Sequence, residues 1–292
     1  MAVHALRLRP LNEKPIRSDG RYVLYWMTTA RRLRDNFALQ RAVDHAEELG
    51  LPLLIFEALR CDYPWASMRL HRFVIQGMLD NRQYADQHGV CYFSYVEPTC
   101  GHARGLLNSL ADQASIIVTD DFPCFFLPKM TAAAAAIVDV RMESVDSNGL
   151  LPLDAADRAF PSAYAFRRFL QKSLPHFLHD FPEEHPLSRP FPKSDCLPTS
   201  VARQWELTAG NSAEAVVKNL RSLPIDHSVS AAPFDGGSRA ALGRLKDFLQ
   251  TGLPRYGVDR SHPDNDPSSG LSPYLHFGHI AAHRVFAEIA AL

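Results

Sequence analysis

Residues 22–27 read Tyr-Val-Leu-Tyr-Trp-Met, six apolar or aromatic positions in a row. A strand that buries one face alternates with polar residues. A strand that is apolar throughout is covered on both faces, as in a parallel sheet flanked by helices. Similar runs return at residues 52–56, 90–95, 115–119 and 140–145. Stretches with helical spacing separate them. Within 33–49, Leu39, Val43, Ala46 and Leu49 share one face and Gly50 is a stop signal. Within 67–88, Leu70, Phe73, Val74, Gly77 and Met78 repeat at helical intervals, with Gly89 just beyond. Residues 103–114 and 129–137 complete the alternation. The pattern predicts an α/β fold, a doubly wound and mostly parallel five-stranded sheet with helices on both faces. Such sheets hold ligands beyond the carboxyl ends of their strands, at the switch point. Residues 28–34 and 120–126 follow the first and fourth strands and are the places to look.

Composition sets the outer bounds. The 292 residues are 46% hydrophobic, 22% charged and 10% aromatic, which excludes a disordered chain or a small disulfide scaffold. Net charge is −1, so no global excess marks a nucleic acid or membrane partner. The 25 Arg against 6 Lys suit phosphate recognition or a GC-rich genome, and their dispersal favours the second. Cys61, Cys91, Cys100, Cys124 and Cys196 include no Cys-x-x-Cys pair, a pattern that fits reduced thiols in a cytoplasmic protein. Residues 1–15 hold no continuous apolar run, so no signal peptide is expected.

Pro175, Pro182, Pro186, Pro190, Pro192 and Pro198 crowd one stretch and predict an extended connection. Beyond it, 213–223, 238–249 and the residues from Ser272 onward read as helices. The expected layout is an α/β domain over 1–175, a linker over 176–198 and a helical region over 199–292.

Three standard signatures are absent: Gly-x-Gly-x-x-Gly after the first strand, Gly-x-x-x-x-Gly-Lys, and Gly-x-Ser-x-Gly. His276, His279 and His283 fall on one face of a presumed helix, suited either to a metal or to packing. The packing reading is preferred, since only Glu288 is at hand as a supporting carboxylate.

The most informative stretch is 256–278, YGVDRSHPDNDPSSGLSPYLHFG. Ser268, Ser269 and Ser272 place hydroxyls around Gly270, where backbone can approach a ligand. Ser272-Pro273 reads as an N-cap followed by proline at the first helical position. A pyrophosphate site and a plain capped helix after a polar loop both satisfy this pattern.

GLSPYLHFG, preceded by Tyr256-x-x-x-Arg260, resembles the start of the flavin-binding domain of the DNA photolyase/cryptochrome family. YVLYWM with Asp35-Asn36-Phe37-Ala38-Leu39, Val118 to Phe122 and Val145 to Asn148 resemble its class II cyclobutane pyrimidine dimer members. The resemblance implies an all-α FAD-binding domain begun after the linker. It implies that Tyr256 contacts FAD, that Ser268, Ser269, Gly270, Leu271 and Ser272 wrap its phosphates, and that Arg260 meets DNA. It also implies blue-light repair of UV-damaged DNA by electron transfer from reduced FAD, a monomer, and a deazaflavin-type antenna chromophore in the α/β domain. A cryptochrome-like photosensor is the alternative. No metal and no specific catalytic residue is implied.

Two departures mark a divergent member. Asp121-Phe122-Pro123-Cys124-Phe125-Phe126 stands where class II members have Asp-Phe-Ser-Pro-Leu-Arg, and Arg260-Ser261-His262-Pro263 where they have Arg-Asn-x-Pro. The chain ends within an amphipathic stretch, at Leu292. By the resemblance, most of the flavin ring pocket, the dimer cavity and the electron-transfer tryptophans lie further on. The expectation is one and a half domains.

Overall fold

The computed structural model describes residues 2–205, 213–218, 220–262 and 264–292. Its centre is a six-stranded sheet in the order β1-β6-β5-β2-β3-β4. The strands are β1 (Leu8–Pro10), β2 (Tyr22–Met27), β3 (Leu53–Leu59), β4 (Cys91–Val96), β5 (Ala114–Asp120) and β6 (Met142–Val145). Strands β2 to β6 pair in parallel, with Tyr25 opposite Ile55 on one side and Val118 on the other.

The sixth strand corrects the expected five. β1 pairs antiparallel with β6, Leu8 opposite Val145 and Pro10 opposite Glu143. It is three residues long, contains Arg9 and ends in proline, so it carries no apolar pattern. Such a short strand is stable only at an edge, where proline needs no ladder partner.

Every residue of β2 is buried, because its two faces feed two cores. Val23, Tyr25 and Met27 pack with Phe37, Leu39 and Val43 of α1 (Phe37–Leu49). Tyr22, Leu24 and Trp26 pack with Leu106 and Leu110 of α3 (Leu106–Ala111) and Ala134 and Ala135 of α4 (Leu127–Ile137). Helix α1 begins four residues later than its apolar spacing suggests. The Asn36 side chain accepts from the amides of Ala38 and Leu39 and fixes the start, while Gly50 at φ 63° ends it.

The helical region leans on α2 (Met68–Gln87). Val74, Ile75 and Met78 meet Ala213 and Val216 of α7 (Ala213–Lys218). Phe73 meets Ala241 and Leu245 of α8 (Ser238–Asp247), together with Leu271, Tyr274 and Ile280. The proline-rich stretch holds only 3₁₀ turns at Leu174–Phe177 and Pro186–Ser188 before α6 (Thr199–Gln204). It is packed rather than free: Leu187 and Phe191 join the first core, and Arg189 pairs with Asp44 at 2.6 Å and with Glu47. A helix absent from the sequence reading, α5 (Ala163–Ser173), precedes it.

Candidate functional site

The direction of winding reverses between β2 and β5, so the loops after these strands border a crevice. Asp120, at the end of β5, organises it. Its carboxylate accepts from the amides of Thr28 (2.8 Å), Thr29 (2.7 Å) and Ala30 (3.0 Å) and from the Tyr25 hydroxyl (2.8 Å). Burial beside this carboxylate pushes the Tyr25 phenol well up, so it stays a donor. Arg31 follows, its guanidinium 2.7 Å from the fully buried Glu57, which also takes hydrogen bonds from Asn81 and Tyr92.

A cavity of about 310 Å³ opens at the strand ends. That is near the lower end of the range of roughly 300–1,000 Å³ for small-ligand sites. Trp26, Phe56, Tyr63 and Leu106 form its walls, and Trp65, Phe122, Phe125 and Phe126 its aromatic rim. Burial raises the Tyr63 phenol to about 12. Arg31 and Arg60 are its cationic lining residues, and Arg60 is paired side-on with Asp62. Phe125 stands at φ 60°, a conformation rare for a bulky residue, with its ring 6.5 Å from that of Trp65. The cavity suits a planar aromatic molecule. Its phenylalanine-rich rim is made by the 121–126 run that departs from the class II pattern.

The second candidate element lies in the helical region. Helix α8 runs through a π-helical turn, Phe248–Gly252, into α9 (Leu253–Asp259). Such turns often mark functional sites. Gly252 lies where a Cβ would touch the carbonyl of Pro267 at 3.2 Å, so α9 begins against the 268–272 segment. Arg244 of α8 reaches under that segment. Its Nε donates to the Ser269 carbonyl at 2.8 Å and its Nη2 to the Ser268 carbonyl at 3.0 Å. Gly270 turns the chain at φ 64°, and a side chain there would collide with the Arg244 guanidinium. Ser268, Gly270 and Ser272 face outward, while Leu271 is buried beneath them. Arg244 was invisible as a site residue in the sequence, because its role comes from the α8–loop packing and not from a motif.

Ser272 does not cap its helix, contrary to the sequence reading. The N-cap of α10 (Ser272–His276) is Leu271, and Ser272 is its first residue with Pro273 next. The αL turn at Gly270 brings the chain into helix one residue early, and the Ser269 hydroxyl accepts from the Leu271 amide at 3.3 Å. The Ser272 hydroxyl is thereby left facing solvent. Tyr256, 38% exposed, lies on α9 one turn beyond Gly252. Its ring stacks edge-on with Phe248 and under the Arg260 guanidinium, 5.8 Å away in each case. The structure therefore sets the π-turn that leads into α9 against Pro267, next to the serine segment, with Arg260 exposed at the end of α9. The segment offers a pyrophosphate the outward Ser272 hydroxyl and a guanidinium below, while the Ser268 hydroxyl donates to the Asp266 carboxylate at 2.5 Å.

The three histidines do not share a helix face. Gly278, at φ 71°, ends α10 because its backbone packs against Thr29 of the switch-point loop, where a Cβ would strike the Thr29 carbonyl. His279 is buried, accepts from the Gly237 amide at 2.9 Å, and is driven down to about 3 by desolvation. His283, on α11 (Ala282–Ala290), is driven to about 3 by the same cause, while His276 is exposed. No metal-binding group of three ligands occurs among the described residues. No helix among them is long and apolar enough to cross a membrane.

Residues 23–187 match the family model described as DNA photolyase. The chain is 30% identical over 280 residues to a deoxyribodipyrimidine photo-lyase of Methanothermobacter thermautotrophicus, covering 96% of this chain and 58% of that protein. It is 28% identical over 276 residues to one of Arabidopsis thaliana, covering 91% of this chain and 52% of that one. A class III photolyase structure from Agrobacterium tumefaciens aligns with a TM-score of 0.63 at 18% identity, over 92% of this chain and 52% of that one, and supports the fold. The chain spans between half and three-fifths of the length of these relatives. With the family model covering more than half of its length and a relative 30% identical along nearly all of it, this chain belongs to the DNA photolyase family.

Proposed function

We propose that this chain serves light-dependent DNA repair, the flavin-mediated splitting of cyclobutane pyrimidine dimers, as a deoxyribodipyrimidine photo-lyase or its N-terminal part. The observation that carries this reading is similarity along 96% of the chain to a protein of that name. Residues 1–175 serve as the photolyase-like α/β domain, 176–198 as the linker, and 199–292 as the opening part of an FAD-binding domain. Ser268, Ser269, Gly270, Leu271 and Ser272 hold the FAD phosphates, with Arg244 bracing the loop from below. Tyr256 lies beside the cofactor, and Arg260 meets a phosphate of UV-damaged DNA. When bound, FAD supplies the light-excited electron donor. The protein's own part is to fix the cofactor phosphates, exclude water from the buried side through Leu271, and present cationic surface to the nucleic acid.

The switch-point cavity is the place for an antenna chromophore of deazaflavin type. Its aromatic rim supports a flat ring system. A monomer in the cytoplasm completes the reading. The test is light-dependent loss of dimers from an irradiated oligonucleotide incubated with the FAD-loaded chain. Loss of dimers only under illumination supports repair. Full FAD loading with no loss under light would leave a flavin-binding module without repair activity.

A further inference from the structure

Helix α5 is amphipathic, and none of its residues is buried. From Arg158 to His179 the sequence contains no acidic residue but carries Arg158, Arg167, Arg168 and Lys172. Tyr164, Arg167, Arg168 and Gln171 stand at i, i+3, i+4 and i+7, so their side chains share one helix face, with Lys172 at its margin. All five are exposed, and Tyr164 is 67% exposed. Arg167, Arg168 and Lys172 have no ion-pair partner among the described residues. Phe166 and Phe169 lie on the opposite face, and each stacks with Phe160, at 5.4 and 4.9 Å.

We infer that this face of α5 is a docking surface for the sugar–phosphate backbone of DNA, separate from the flavin segment. Arginine, lysine, glutamine and tyrosine are the side chains that contact phosphate and sugar oxygens without reading sequence. Three unpaired cations within two turns attract a polyanion by releasing its counterions. Charge complementarity alone would also admit an anionic membrane. A helix lying on lipid would sink the apolar face opposite its cations, and in α5 Phe166 and Phe169 of that face pack on Phe160 and on each other. The choice of DNA over another polyanion rests on the repair reading. The surface geometry does not.

The experiment measures binding of the 292-residue chain, in the dark, to an undamaged fluorescein-labelled duplex across a salt series. Neither flavin loading nor dimer splitting enters this measurement, so its failure is distinct from failure of the repair reading. Arg167→Gln/Arg168→Gln/Lys172→Gln is expected to weaken binding by about ten-fold or more and to lower the slope of log affinity against log salt by about two to three. The matched variant Arg104→Gln/Arg203→Gln/Arg221→Gln, at exposed sites elsewhere, is expected to change binding by less than about two-fold. An unchanged thermal midpoint shows that the helix variant is folded. Equal losses in the two variants, or an unaltered slope, would overturn the inference. So would loss of binding to phosphatidylserine vesicles with duplex binding intact.

Discussion

The Arg244 guanidinium donates to the carbonyl of Ser269 at 2.8 Å and, through its second nitrogen, to that of Ser268 at 3.0 Å. An arginine that spends its donors on loop carbonyls sets the shape of the loop and leaves its positive charge beneath it. Replacing Arg244 with Met keeps the packing stem and removes both hydrogen bonds. Each such charge-assisted bond contributes about 1.5–3 kcal/mol. FAD affinity, followed by quenching of flavin fluorescence on titration, is expected to fall by about ten-fold or more.

Ser272 faces solvent at the first position of α10 and caps nothing. Ser272→Ala therefore leaves stability within about 0.5 kcal/mol, while FAD dissociates faster. A drop in the thermal midpoint with unchanged FAD retention would assign the hydroxyl a purely structural part.

The cavity at the switch point is separate from the serine segment, so the two can be emptied independently. Met130→Trp puts an indole into the space bounded by Trp26 and Leu106. It is expected to abolish uptake of a deazaflavin added to the purified protein while FAD binding stays intact. Overpacking costs about 1–3 kcal/mol, which unfolding in urea will report.

Asp120 ties three consecutive amides of the loop after β2 to the end of β5. Asp120→Ala leaves those buried donors unpaired, at about 1–3 kcal/mol for each group. We expect the urea midpoint to fall sharply and the cavity to lose its ligand, because both share this loop.

His279 and His283 are neutral in the folded protein, each driven to about 3 by burial, and His71 to about 4 by the same cause. The unfolded chain protonates these rings near pH 6.5, so it binds more protons than the folded one between there and the folded values. Their contribution is complete above pH 6.5 and is lost as pH falls toward the folded values of about 4 for His71 and about 3 for His279 and His283. Each ring costs up to about 1.4 kcal/mol per pH unit over that window. Urea midpoints measured between pH 7.5 and 5 are expected to drop steeply, and His283→Asn is expected to flatten the profile.

The sequence made the parallel strands legible wherever burial on both faces erased polar alternation: β2 is found at the residues its apolar run marks. It made β1 illegible, since a three-residue edge strand has no periodicity to read. Ser268 to Ser272 stood out through hydroxyls clustered around a glycine. Arg244, 24 residues upstream, could be found only when α8 folded over the loop. The broken helix at Gly278 was equally hidden, because the Thr29 carbonyl that requires a glycine lies 249 residues away in sequence.

We propose that residues 268–272, braced by Arg244, cradle the phosphates of FAD. The most direct test is flavin content after the purified chain is loaded with FAD and passed through a desalting column. Flavin eluting with the wild-type chain, and less with Arg244→Met, is the expected result. A correctly folded wild-type chain that elutes colourless after loading would contradict the claim.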